Sequence, residues 1–133
     1  MKTCNPYEIE LRCDHPERWR YNIELLCVTF DAQGNQVNYA TASSRVAEPG
    51  AALRSAPKGV EIASRITLTA PAAASAEVLL YAIPHSLPQD RTIDHTEPQL
   101  WTLTISQGDR QIARESVTVN PWGGASVRLA VKA

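Results

Sequence analysis

The amino-acid sequence predicts an all-β protein: a single antiparallel β-sandwich of about eight strands covering residues 1–133, with at most short helical turns in its loops. Three observations carry that reading. Apolar and polar residues alternate with period two along most of the chain, as in strands with one buried face. Clusters of Gly, Pro, Asn and Asp interrupt the alternation at spacings typical of sandwiches. No amphipathic helix of normal length is present, and the connections are too short for parallel crossovers, so antiparallel pairing is expected.

The elements follow in order. In the first strand Tyr7, Ile9, Leu11 and Cys13 alternate with Glu8, Glu10 and Arg12. In the second, Trp19, Tyr21, Ile23, Leu25 and Cys27 alternate with Arg20, Asn22 and Glu24. At Leu25-Leu26 the apolar phase slips to Leu26, Val28 and Phe30, which predicts a bulge or a strand covered on both faces. Residues 31–35 form a turn. A third strand runs from about Gln36 to Val46, with Val37 and Tyr39 as its main apolar members. Glu48-Pro49-Gly50 ends it, and Ala51-Ala52-Leu53-Arg54 has room for one helical turn.

Val60, Ile62, Ile66 and Leu68 share one parity and make the clearest strand of the chain. After a small-residue turn at 71–75, Glu77 to Ile83 reads as a central strand that is apolar on both faces. The link 84–98 is the longest polar one. Trp101, Leu103 and Ile105 then alternate with Thr102 and Thr104, and Gln107-Gly108-Asp109 turns the chain. Ile112 and Val117-Val119 differ in parity, which predicts a bulge between them. After the loop 120–124, Val127, Leu129 and Val131 make the last strand.

Apolar residues make up 44% of the chain and charged residues 20%, as in ordered globular domains, and the length suits one domain rather than two. Thirteen Lys+Arg against fourteen Asp+Glu give a net charge of −1. That balance argues against nucleic-acid binding, which needs an excess of cations to displace counterions. No segment approaches the about 18 apolar residues of a membrane span, so no membrane partner is expected. The first residues also lack the apolar run of a signal peptide, which predicts a cytoplasmic location for a chain that is the complete gene product.

Three cysteines make a poor disulfide framework, and buried reduced thiols are the simpler expectation. A hairpin turning near His15-Pro16 would nevertheless set Cys4 opposite Cys27, a pairing that requires close Cα atoms and an oxidising compartment.

If each of eight strands crosses the sandwich once, the connections alternate between its two ends. The links 14–18, 48–58, 84–98 and 120–124 then share one end, with His15, His85, His95 and Trp122. The tight turns 31–35, 71–75 and 107–109 share the other with both termini. Long loops on a rigid sandwich are the usual carriers of recognition.

Within that end, Asp14-His15-Pro16-Glu17 and Asp94-His95-Thr96-Glu97 repeat the pattern Asp-His-x-Glu. Imidazole with carboxylate is zinc-ligating chemistry, and oxygen-rich loops at a sandwich end can hold calcium. As ordinary turn residues, the same six need no metal. No catalytic motif is present: neither a Gly-x-Ser-x-Gly elbow nor a His-Glu-x-x-His run occurs, and the six glycines make no phosphate loop. Trp19 and Trp101 fall in phase with the core, whereas Trp122 lies outside any alternating run.

The general look is that of an immunoglobulin-like or C2-like sandwich, and a likeness of that breadth carries no function. The functional expectation is a non-enzymatic domain, without cofactor, that recognises a protein partner through the loops at one end. Trp122 is its apolar anchor, with His15, His85, His95, Arg18 and Arg91 as polar surround. The alternative is a carbohydrate- or metal-binding module, with Asp14, His15, Glu17, Asp94, His95 and Glu97 as candidate zinc or calcium ligands. A homodimer formed by pairing of uncovered edge strands is a further expectation.

Overall fold

The alternating segments extend into eight strands among the residues that the computed structural model describes, 5–89, 92 and 96–133. They are β1 (Tyr7–Arg12), β2 (Tyr21–Phe30), β3 (Gln36–Ser44), β4 (Arg65–Ala70), β5 (Ser75–Pro84), β6 (Gln99–Gln107), β7 (Arg110–Val119) and β8 (Ala125–Lys132). Two four-stranded antiparallel sheets result, ordered β4-β1-β6-β7 and β3-β2-β5-β8. The one helical element among these residues is a 3-10 turn at Arg18–Arg20. Among the described residues no helix is long and apolar enough to cross a membrane.

The core lies between the sheets. Tyr7, Ile9 and Leu11 of β1 face Tyr21, Ile23, Leu25 and Cys27 of β2, with Val78 and Leu80 of β5 and Trp101, Leu103 and Ile105 of β6 completing it. Tyr21 meets the Trp101 ring edge-on, 5.3 Å between centroids at 86°, a geometry worth about 0.5–1.5 kcal/mol beyond the area it buries. Thr29 shares the inward phase of β2 and satisfies its hydroxyl on the Asn38 carbonyl at 3.2 Å.

Several local expectations are corrected. β1 and β2 do not form a hairpin: β1 pairs with β4 and β6, and β2 pairs with β3 and β5, so the link between them arches from one sheet to the other. Both sheets bury one face, and alternation reports the face but not the sheet. Cys27 therefore has Ala40 and Val78 as its ladder neighbours. Cys4, its supposed partner, lies outside the described residues. Cys13 and Cys27 are buried free thiols.

The phase slip in β2 contains no bulge, since its register with β5 runs unbroken from Tyr21 to Phe30. Leu26, Val28 and Phe30 instead lie half-buried on the outer face of a central strand. The irregularity sits further on, where β3 skips Val37 between Asn38 and Gln36. Val37 and Tyr39 are 47% and 67% exposed, and Ala40 and Ala42 supply the inward positions of β3. The bulge expected in β7 falls at Ile112, which the pairing of Ala113 with Ile105 and Gln111 with Ser106 leaves unmatched.

β4 begins only at Arg65. Upstream, the Ile62 and Ala63 carbonyls accept hydrogen bonds from Arg18, so residues 60–64 form part of a strapped link rather than a strand. Residues 51–54 form no helical turn; Ala52 takes a left-handed conformation, φ +57°, instead.

Candidate functional site

Register alone assigns the links to ends. Arg12 pairs with Arg65, Tyr21 with Pro84, Gln99 with Val119 and Ala82 with Ala125, all at one pole. Tyr7 pairs with Ala70 and Gln107, and Ser75 with Phe30 and Lys132, at the other. The links 13–20, 45–64 and 120–124, and the described residues of 85–98, thus meet at the first pole.

A buried polar knot joins three of them. The backbone N–H of His85 donates to the Arg20 carbonyl at 2.9 Å, and its own carbonyl accepts from both Gly50 and Ala51 at 3.0 Å. The His85 side chain, 1% exposed, continues the cross-link. Ser86 Oγ accepts the Leu53 N–H at 2.8 Å, so its hydrogen points to His85 Nδ1 at 2.7 Å. Nε2 then carries the ring proton and donates to the Trp19 carbonyl at 2.6 Å. Burial, reinforced by the nearby Arg20 charge, lowers the His85 pKa, although the bond to Trp19 works the other way. The ring is held neutral.

Arg20 belongs to the same knot. Its guanidinium lies 4.5 Å from the Trp19 ring centroid, pairs through Nε with Glu17 at 2.8 Å, and donates through Nη1 to the Ser86 carbonyl at 3.3 Å. Only 6% of the residue is exposed. Taking such a charge out of water is tolerable because an ion pair, a ring face and a carbonyl surround it.

Among the described residues two hollows border Arg20. One, of about 160 Å³, is lined by Arg20, Leu53, Arg54 and Gln89. Arg54 Nε donates to Gln89 Oε1 at 3.3 Å, and Gln89 Nε2 to the Ala52 carbonyl at 3.0 Å, so the left-handed Ala52 positions the cavity wall. The other is about 10 Å³, room for roughly one water, and is bordered by His15, Glu17, Glu97 and Gln99.

The sequence-predicted residues divide. Trp122 is half-buried in the turn 120–124, where Asn120 Oδ1 accepts its N–H at 2.7 Å; the indole N–H reaches Thr96 Oγ1 at 3.3 Å. His15 is half-buried and accepts the Glu17 N–H on Nδ1 at 3.0 Å. Arg18 donates to the Ala63, His15 and Ile62 carbonyls at 3.1–3.3 Å, so its guanidinium straps two links together. His85 is corrected: it belongs to the buried knot, not to the polar surround of Trp122. Arg91 and His95 lie outside the described residues.

Of the candidate metal ligands, His15, Glu17 and Glu97 border the small hollow, Asp14 is exposed, and Asp94 and His95 lie outside the described residues. Among the described residues no three His, Cys, Asp or Glu side chains are grouped to hold a metal. The Arg20 guanidinium at the same hollow opposes a cation there.

Arg20, Arg54, Ser86 and Gln89 were not signalled by the sequence. Arg20 falls on the polar phase of an alternating run and reads as solvent-facing; its one hint is its place between Trp19 and Tyr21.

Fold and site together define an all-β sandwich whose longer links are knitted into one pole. No family model matches the chain, and no curated protein does. Among solved structures it is similar to a domain of unknown function, DUF4425, from Bacteroides vulgatus, with 8% identity and a TM-score of 0.50 over 100% of this chain and 98% of that one. A DUF4425 family protein from Bacteroides ovatus matches at 6% identity and a TM-score of 0.43, over 96% of this chain and 93% of that one. The first likeness speaks for the fold alone.

Proposed function

We propose that the chain is a non-enzymatic interaction domain that recognises a protein partner through the knitted pole, with Trp122 as its apolar anchor. The observation that supports this reading is the partly exposed Trp122 beside loops that buried hydrogen bonds hold in place. A rim ordered before binding loses little conformational freedom on contact, which favours recognition. His15 flanks the rim, while Arg18 contributes by fixing the links rather than by offering free donors.

The test is capture of the partner by immobilised protein from an extract of the native host, comparing wild type with Trp122→Ala. Loss of the captured band with the melting temperature kept within about 4 °C supports the reading, since a 1 kcal/mol change shifts a domain of this size by roughly that much. Retained capture overturns it, and so does unfolding of the variant at the wild-type working temperature, which would make Trp122 a plug for the core.

A further inference from the structure

We infer that the cavity between Arg20, Leu53, Arg54 and Gln89 is a subsite for a single carboxylate group, presented by the partner as an acidic side chain or a chain terminus. The inference rests on the reading of this pole as a recognition surface and gives it a ligand chemistry.

Donor accounting comes first. Arg20 engages Nε with Glu17 and Nη1 with Ser86, but Nη2 has no hydrogen-bond partner among the described residues. It is also not one of the polar atoms sealed from solvent without a partner. Arg20, although only 6% exposed, lines this hollow as well as the smaller one beside it. Arg54 uses only Nε, on Gln89, and both of its terminal nitrogens lack partners among the described residues. Two arginines therefore line one hollow, each with N–H groups that no described residue engages, and a guanidinium fork suits a carboxylate.

Charge and shape select the ligand. Arg20 is paired with Glu17, whereas Arg54 has no carboxylate partner among the described residues, which suits a single added carboxylate. Leu53 supplies an apolar wall for the methylenes that carry a carboxylate. The cavity, about 160 Å³, has room for a carboxylate and a short stem. Its walls are fixed: Ala52, Leu53 and Gln89 are all tied by hydrogen bonds, and Ser86 connects Leu53 to the buried knot.

Three blocked dipeptides probe the site by NMR titration of the ¹⁵N-labelled full chain. N-acetyl-Gly-Glu-amide offers a side-chain carboxylate only, N-acetyl-Gly-Leu acid a terminal carboxylate only, and N-acetyl-Gly-Gln-amide neither. One or both acids should shift the Arg20 and Arg54 Nε–H and the Leu53 N–H resonances saturably, with a dissociation constant on the order of 1–10 mM. The acid that saturates identifies the source. The neutral peptide and inorganic phosphate should bind at least about tenfold more weakly, and Arg54→Gln, at an exposed position, should weaken the acids about tenfold with the fold intact. Absence of saturable shifts, equal response to the neutral peptide, tighter phosphate binding or indifference to Arg54→Gln would each overturn the assignment. Trp122→Ala separates the two ideas: capture lost without carboxylate titration leaves the interaction reading standing alone, and titration with capture unaffected leaves only the subsite.

Discussion

His85 Nε2 donates to the backbone carbonyl of Trp19 at 2.6 Å, tying the end of β5 to the 3-10 turn that leads into β2. Sixty-six residues separate the two along the chain. The bond requires the ring to keep its proton on Nε2, and the hydroxyl of Ser86 enforces that tautomer from the other side.

Acid should therefore loosen this pole. The folded His85 pKa lies below its ordinary value of 6.5, so near and below pH 6.5 the unfolded chain binds more protons than the folded one. Stability from this residue is complete above about pH 6.5 and is lost as pH falls from there towards the folded pKa. The urea midpoint should drop between pH 7.5 and pH 5.5, and His85→Phe should flatten that part of the profile. The substitution also orphans the Trp19 carbonyl and the Ser86 hydroxyl, at a cost of about 2–4 kcal/mol.

Two core tyrosines should respond oppositely to loss of their hydroxyls. Tyr7 donates to the Ala73 carbonyl at 2.9 Å, so Tyr7→Phe should cost about 1 kcal/mol in chemical denaturation. The Tyr21 hydroxyl is buried with no partner among the described residues, and burial holds its pKa well above the ordinary value. Tyr21→Phe should leave stability unchanged or raise it by up to about 1 kcal/mol. A larger loss for Tyr21→Phe than for Tyr7→Phe would contradict the assigned bonding.

Adjacent glycines in the turn 120–124 offer a sharper contrast. Gly124 has φ +75°, and a Cβ there would overlap the Ala82 carbonyl oxygen and approach Pro84 Cδ to 2.9 Å. Gly123 has open space. Gly124→Ala should cost at least about 3 kcal/mol by thermal or urea unfolding, whereas Gly123→Ala should change stability by no more than about 1 kcal/mol.

Thiol chemistry tests the core directly. Burial pushes the pKa of both Cys13 and Cys27 to about 11, so at pH 8 only on the order of one in a thousand of either is thiolate. Iodoacetamide at pH 8, followed by peptide mapping, should leave both unmodified in the folded protein and label both in urea. Rapid labelling of either without denaturant would show that the sheets do not seal over it.

Most strands were legible because each sheet buries one face, and an inward run of large alternating apolar residues announces itself. What alternation could not show is which sheet a strand joins, so the arch from Leu11 to Tyr21 looks like a hairpin until pairing partners are known. Tyr39 misled for a related reason. An apolar residue in phase along a strand reads as inward, yet Tyr39 pairs with the outward Val28, and the small side chains of Ala40 and Ala42 take the inward positions. At the pole, proline and histidine content drew attention to these loops. It could not separate His85 inside from His15 at the edge, because that distinction depends on backbone carbonyls distant in sequence.

The strand directions also settle how the molecule can be held. Asn5 lies against Gly108, and the N–H of Ala133 donates to the carbonyl of Ala74, so both ends of the described chain emerge far from Trp122. A biotin or reporter domain attached beyond Ala133 would leave the knitted pole facing outward, and a sensor surface coated this way would display every molecule in one orientation.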